Sequence, residues 1–181
     1  GVKTLDDAQQ ESQNNGIRIF YEPILYDLVD NYKSWVKSDQ EAMTRTQLDS
    51  IILPCKFQLL KGMIFRRSNP AVCGIEILGG VLKQNATIIN SMGKEVGIVK
   101  QLQDKNQTIR SAVSGLQVAV SMNEPVIGRT ISEGEILYTL PTAIGARLLN
   151  QKYRDSLSDS DFDILQEILN IRRKIVPLYG F

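Results

Sequence analysis

Residues 65–80, FRRSNPAVCGIEILGG, hold an apolar strand pattern between a polar turn and a pair of glycines. In AVCGIEIL the apolar residues recur at every second position, which is the period of a β-strand. The same period continues in seven segments of the chain: ILPCKFQLLKG, AVCGIEIL, VLKQNATII, EVGIVKQLQ, GLQVAVSM, PVIGRTI and EILYTL. Turn-forming residues separate them, including Gly79-Gly80 and Glu133-Gly134. Short strands without intervening helices predict an antiparallel barrel or sandwich, and closure into a barrel over residues 49–140 would remove exposed strand edges.

Helical patterns flank the predicted barrel. Pro23 suits the first position of a helix, and an apolar stripe with helical spacing extends from Ile24 to Val36. Beyond Val36 the pattern turns polar, so a helix over residues 23–48 is better explained as a spacer between two bodies than as a coiled coil. After the barrel, residues 141–181 predict two helices, and the second begins after the N-cap Ser158.

Residues 1–22 have the pattern of a remnant of an α/β domain. A short helix over residues 5–15 would end at Gly16, and IRIFY (17–21) alternates like a strand. One helix and one strand cannot bury a core between them, and the chain does not begin with Met. We therefore expect the chain to be a piece of a longer protein.

The composition excludes several classes of protein. The chain has 181 residues, 43% of them apolar and 23% charged, as in soluble globular proteins. No apolar run approaches the roughly 20 residues that cross a bilayer. Because the sequence has no histidine and no phosphate-loop motif, histidine-dependent nucleophiles and motif-based nucleotide sites are excluded. We expect no enzyme activity, cofactor or metal in this chain.

Both cysteines, Cys55 and Cys73, lie in apolar strand patterns. Buried reduced thiols are the simpler interpretation, and a disulfide is the alternative. Reduced thiols would indicate a cytoplasmic protein.

The net charge of +1 conceals an uneven distribution. Residues 1–51 carry five Lys or Arg and nine Asp or Glu, residues 52–150 carry eleven and six, and residues 151–181 carry five of each. A basic middle segment favours an anionic partner. Arginines on rigid turns can bind phosphate with two parallel hydrogen bonds. The alternative is that these cations are solvated side chains that prevent exposed strand edges from pairing with other strands.

Three segments carry a resemblance to a known family: FRRSNPAVCGIEILGGVLKQNATII, VGIVKQLQDKNQTIRSAVSGLQVAVSM and VIGRTISEGEILYTL. They resemble the second-domain-type β-barrel of translational GTPases, in the version of the archaeal and eukaryotic initiation factor five-B family, which is related to bacterial initiation factor two. NGIRIFYEPILYDLVDNYKSWV is similar to the end of that family's third domain and its connecting helix. SDFDILQEILNIRRK…LYGF resembles its closing helical pair.

The resemblance implies a closed antiparallel β-barrel, preceded by a long connecting helix and followed by two C-terminal helices. Such a chain would be a piece of a ribosome-bound GTPase that promotes subunit joining, with GTP and Mg bound in a domain outside it. The barrel would hold the aminoacylated acceptor end of initiator tRNA. The helices would bind the acidic C-terminal tail of a small companion initiation factor. We expect a cytoplasmic monomer without membrane contacts; a structural lever that makes only protein contacts is the alternative.

The resemblance also implies particular site residues. For tRNA it points to Arg66, Asn69, Ile75, Lys100, Gln117 and Arg129, and the charge pattern adds Arg67 and Lys94. For the companion factor, the surplus of apolar residues in the helical pair and the basic run beside it point to Tyr153, Leu157, Phe162, Leu165, Ile168, Leu169, Arg172 and Arg173.

Overall fold

The computed structural model describes residues 10–11, 14–15, 17–20 and 22–181. The chain divides into two compact units, Gly1–Asp49 and Ser50–Phe181. Most of the predicted helix over residues 5–15 lies outside the described residues. Residues 17–20 of the predicted IRIFY strand form no strand, and Tyr21 lies outside the described residues.

The first unit contains the predicted long helix, α1 (Leu25–Asp49). Its N-terminal half carries an aromatic cluster in which the ring of Phe20 lies 5.6 Å from that of Tyr32 and 5.4 Å from that of Trp35, measured between centroids. The guanidinium of Arg18 lies over the Phe20 and Trp35 rings. The described residues include no helix that is both long and apolar enough to cross a membrane.

The second unit is built on a closed antiparallel barrel, as predicted. Its strands are β1 (Cys55–Arg66), β2 (Ala71–Lys83), β3 (Thr87–Asn90), β4 (Glu95–Asp104), β5 (Gln107–Ile109), β6 (Ser111–Val113), β7 (Gln117–Asn123) and β8 (Ile136–Thr139). Six strands follow one another in the order β1-β8-β3-β4-β7-β2, and β2 pairs with β1 to close the ring. The short strands β5 and β6 pair only with β4 and β2, respectively. Alternate residues of the ring, such as Phe57, Leu59 and Leu102, fill the core.

Two predicted details of the barrel are wrong. The Gly79-Gly80 pair is not a turn, because β2 continues through it to Lys83. The segment PVIGRTI is not a strand but a loop, with a single bridge between Ile127 and Ile131. The strands β5 and β6 lie in a segment for which the sequence patterns predicted none.

The C-terminal helices are α2 (Ala143–Gln151) and α3 (Asp159–Arg173), joined through a short 3-10 turn. The hydroxyl of Thr142 accepts a hydrogen bond from the Gly145 amide at 3.0 Å, and that of Ser158 accepts one from the Asp161 amide at 3.1 Å. These are N-caps, so the predicted cap at Ser158 is present. Glu167 of α3 pairs with Lys56 of β1 at 2.9 Å, which fixes α3 to the outside of the barrel.

Both cysteines are free thiols that lie in the barrel core. Burial raises the pKa of Cys55, with a smaller contribution from the Asp161 carboxylate, and burial raises the pKa of Cys73 to about 12. Because the thiolate is the reactive form, both groups stay protonated and unreactive at pH 8. We predict that a chromogenic disulfide reagent modifies neither thiol in the native protein and both in denaturant. A native thiol that reacts at pH 8 without unfolding would contradict this arrangement.

Candidate nucleic-acid interface and helical surface

Two loops at one end of the barrel bring basic side chains together. Arg66 ends β1, the loop after β1 carries Arg67 and Asn69, and the loop after β7 carries Arg129. The Ile127 amide donates to the Arg67 carbonyl at 2.9 Å, so the two loops are hydrogen-bonded to each other. We call Arg66, Arg67, Asn69 and Arg129 the basic corner; the structure brings together these four of the eight predicted tRNA-binding residues.

Arg129 lies at the tip of a turn that is anchored in the core. Ile127 and Ile131, on either side of it, are 2% and 1% exposed. The amides of Arg129 and Thr130 both donate to the Val126 carbonyl, at 3.1 and 2.8 Å. The exposed Arg129 side chain therefore projects from backbone that packing and hydrogen bonds hold in place.

The arginines of the basic corner retain donors for an outside ligand. Arg66 donates one hydrogen bond, from Nη1 to the Asn69 carbonyl at 3.2 Å. In the part of the chain that the structure describes, none of the three arginines forms an ion pair. Two carboxylates of the connection between β7 and β8, Glu133 and Glu135, accept hydrogen bonds from the backbone amides of Gly62 and Ser132. A phosphate could therefore bind these guanidinium groups without first breaking an ion pair.

The other four predicted tRNA-binding residues lie elsewhere. Ile75 is fully buried in the core, so the prediction that its side chain contacts tRNA is wrong. Lys94 is exposed at the tip of the β3–β4 hairpin, and Lys100 is exposed at an irregularity of β4. Gln117 pairs with Glu76 of β2, which is four residues from the partner of Arg66, or about 14 Å along the strand.

Gln117 lines a pocket of about 270 Å³ on the outer face of the barrel. Its other lining residues are Leu60, Met63, Phe65, Gly74, Gln103, Lys105, Asn106, Val118 and Ala119. Five elements contribute to it: β1, β2, β4, β7 and the turn between β4 and β5. The sequence patterns gave no sign of this pocket, because it depends on contacts between strands that are distant in the chain.

The predicted partner-binding residues of the helical pair are mostly internal. Leu165, Ile168 and Leu169 are fully buried, and Tyr153 is also buried, so the prediction that these side chains form a free groove is wrong. Their apolar face packs within the second unit. Leu157 and Phe162 remain half-buried, and the Arg154 guanidinium lies 3.8 Å from the Phe162 ring centroid.

The two predicted partner-binding arginines also have internal contacts. Arg172 donates to the Gly93 carbonyl at 2.9 Å and pairs with Glu95 at 2.6 Å, which ties α3 to the β3–β4 hairpin. Arg173 donates to the Tyr179 carbonyl at 2.9 Å and lies over the Phe181 ring. These cations hold the protein's own C-terminal segment, so their predicted role as free anchors for a partner is not supported.

The C-terminal segment instead presents a different surface. The Tyr179 hydroxyl donates to the Pro141 carbonyl, and a Cβ built on Gly180 would lie 3.4 Å from Ala146 of α2. The segment thereby lies along α2 and leaves Leu178 80% and Phe181 67% exposed. With the exposed cations Arg147 and Lys174, these two residues form what we call the C-terminal patch. Sequence patterns could not reveal it, because the segment has no regular structure.

Comparison with known proteins agrees with this architecture. The family model described as Elongation factor Tu domain 4 matches residues 53–138. Proteins named "Probable translation initiation factor IF-2" are 41% identical to this chain in Ignicoccus hospitalis and 40% identical in Hyperthermus butylicus, each over 99% of the chain. The crystal structure of GDP-bound aIF5B from Aeropyrum pernix matches 99% of the chain with a TM-score of 0.75 and 38% identity. The chain belongs to the archaeal IF-2/aIF5B family of translation initiation factors.

The chain spans about 30% of the length of these initiation factors. Their matched region therefore contains the barrel and its flanking helices, while most of each relative lies outside it. The described residues of this IF-2/aIF5B segment form no cluster of His, Cys, Asp or Glu that could hold a metal ion. The relative of known structure binds GDP, but the sequence of this segment contains no phosphate-loop motif for a nucleotide.

Proposed function

We propose that this segment of the initiation factor binds the aminoacylated acceptor end of initiator tRNA through the basic corner, in support of ribosomal subunit joining in the cytoplasm. The observation that carries the proposal is the set of three exposed arginines, one at the end of β1 and two on loops that are hydrogen-bonded to each other. Arginine binds phosphate oxygens with two parallel hydrogen bonds, and a fixed backbone lowers the entropy cost of that contact. GTP hydrolysis would belong to the part of the factor outside this chain.

Titration with initiator tRNA at two salt concentrations tests the proposal. Three arginine–phosphate contacts on a single strand give a slope of log K against log [salt] of about −2, so affinity should fall about 20-fold between 50 and 200 mM salt. Fluorescence anisotropy of labelled tRNA measures both values, and a control protein of the same net charge sets the background. If tRNA binds no better than to that control, the structural-lever alternative is favoured instead.

We further propose that the C-terminal patch binds the acidic tail of the small companion factor. The patch combines exposed apolar side chains, Leu178 and Phe181, with the cations Arg147 and Lys174, which complements a tail that is acidic and apolar. The sequence-based location near Phe162 is less suitable, because the first turn of α3 carries Asp159 and Asp161. Those carboxylates would repel an acidic peptide.

Exchange of single residues distinguishes the two locations. We expect Leu178→Ala and Lys174→Glu to weaken capture of a labelled tail peptide about tenfold each, since one removes an apolar anchor and the other reverses a charge. Leu178 is 80% exposed, so its loss should leave the fold intact. Phe162→Ala is the matched control and should retain affinity. If only Phe162→Ala lost affinity for the tail peptide, the binding site would lie at the start of α3 instead.

A further inference from the structure

We propose that Glu133 is a positioning residue for tRNA binding: its carboxylate holds an outward excursion of β1 in place and thereby fixes Arg66 relative to Arg129. The inference rests on the proposed tRNA-binding function and adds to it a residue that contacts no RNA itself. Glu133 lies in the connection between β7 and β8, four residues after Arg129.

The strand that ends at Arg66 is irregular. Between Leu59 and Ile64, β1 advances five residues while β2 advances two. In the described barrel the four residues between them, 60–63, have no register partner in β2 or β8, and we call them the β1 excursion. A second register shift follows between Ile64 and Arg66. Regular pairing with β2 therefore does not by itself fix the position of Arg66.

The connection between β7 and β8 supplies contacts that hold the β1 excursion. The Gly62 amide donates to Glu133 Oε2 at 2.8 Å, which is a charge-assisted hydrogen bond. The Lys61 side chain lies beside Gly134, where an added Cβ would be 2.9 Å from the lysine Cε. At the start of the excursion, the Gly134 amide donates to the Leu59 carbonyl at 2.9 Å. The excursion is thus attached to the connection that belongs to the basic corner.

The same connection is itself fixed in the barrel core. Ile127 and Ile131, on either side of Arg129, are buried in that core. Because the connection is fixed and the excursion lacks a strand partner, the hydrogen bond to Glu133 sets where β1 runs before Arg66. A fixed path lowers the entropy cost of placing both arginines on one phosphate backbone.

The charge of Glu133 makes the inference testable by the sign of an effect. A carboxylate repels phosphate, so removal of Glu133 would strengthen tRNA binding if the residue acted only through its charge. If Glu133 positions Arg66, its removal should weaken binding although the protein becomes more basic. The two explanations therefore predict opposite changes in affinity.

We expect Glu133→Ala to weaken the binding of initiator tRNA by about 3- to 10-fold, the cost of ordering about one additional long side chain. Glu133→Gln keeps an oxygen that accepts from Gly62, so it should bind tRNA at least as tightly as the native chain. Fluorescence anisotropy of labelled tRNA at one salt concentration measures these affinities. Exchange of the Gly62 amide, followed by NMR, should become faster only in the alanine variant. Urea midpoints should stay at the native value, since Glu133 is exposed.

Glu124→Ala is the matched control for the loss of charge. Glu124 lies in the same connection and is exposed, and its carboxylate forms no hydrogen bond or ion pair with another described residue. Its removal changes the net charge by the same amount as removal of Glu133. The affinity of this variant for tRNA should therefore equal or slightly exceed that of the native chain.

The outcomes separate the inference from the proposed function. If Glu133→Ala binds tRNA as tightly as Glu124→Ala, the inference is overturned and the basic corner stays in place. Equal weakening by Glu133→Gln and Glu133→Ala would also overturn it, because the glutamine oxygen can still accept from Gly62. Failure of initiator tRNA to exceed the charge-matched control protein would overturn both the inference and the proposed function.

Discussion

Gly80→Ala is expected to lower the free energy of unfolding by more than about 4 kcal/mol, or to prevent folding. Gly80 has φ +79°, and a Cβ at this position would lie 2.0 Å from the Pro54 carbonyl oxygen and 2.9 Å from the Cys55 Cα. Both are backbone atoms at the start of β1, and the same carbonyl accepts a hydrogen bond from Val81. Relief of the clash would therefore separate β1 from β2 where they close the barrel.

Gly115→Ala is the matched control for this prediction. Gly115 also has a positive φ, +84°, but a Cβ there would meet no atom within 4 Å. Its replacement should cost only the left-handed backbone strain, about 1–2 kcal/mol. Urea unfolding followed by circular dichroism measures both variants. Equal losses at the two positions would show that backbone strain, and not contact with β1, makes Gly80 necessary.

The same glycine pair shows why one element was mispredicted. Two consecutive glycines are typical of a tight turn, since glycine adopts a positive φ without strain. The absence of a Cβ also permits close approach of a neighbouring segment, and both glycines are used in this way inside β2: Gly80, besides its positive φ, meets the Pro54 backbone, and a Cβ on Gly79 would lie 2.5 Å from the Ile164 side chain of α3. Local sequence cannot distinguish these two uses, because the contacting residues are distant in the chain.

The spacing of apolar residues in the strands and helices predicted the buried residues correctly, whereas several residues predicted to bind tRNA or a partner protein are themselves buried. Ile75 lies in phase with Cys73 and Ile77, so the period of two already places it in the core. Its assignment to tRNA came from the resemblance, and the structure contradicts it. Likewise, Leu165, Ile168 and Leu169 have the spacing of a core-facing stripe, and they are core.

The surfaces that remain as candidates depend on contacts that spacing does not encode. Arg67 and Arg129 lie on loops far apart in the sequence that the hydrogen bond from the Ile127 amide to the Arg67 carbonyl joins. The C-terminal patch exists only because residues after α3 fold back along α2, where Tyr179 bonds to Pro141. The charge of the middle segment indicated an anionic partner. That three of its arginines lie at one corner of the barrel is a result of the fold, which the charge count does not contain.

Arg66→Glu combined with Arg129→Glu is expected to weaken tRNA binding by about 100-fold. Arg66 ends β1 and Arg129 lies in the loop after β7, and each charge-assisted contact to phosphate is worth about a factor of ten. Loss of two contacts should also make the slope of log K against log [salt] shallower by about 1.4. Anisotropy titrations at several salt concentrations provide both quantities.

Arg110→Glu is the matched control, because Arg110 is exposed between β5 and β6 and belongs to no proposed site. It should reduce affinity only slightly at low salt, through the change in overall charge, and leave the slope unchanged. Urea midpoints of both variants should equal that of the native chain, since the exchanged side chains are exposed. Arg110→Glu changes the net charge half as much as the double variant does, so a loss of about tenfold in the Arg110 variant would mean that tRNA responds to net charge. The basic corner would then have no specific role.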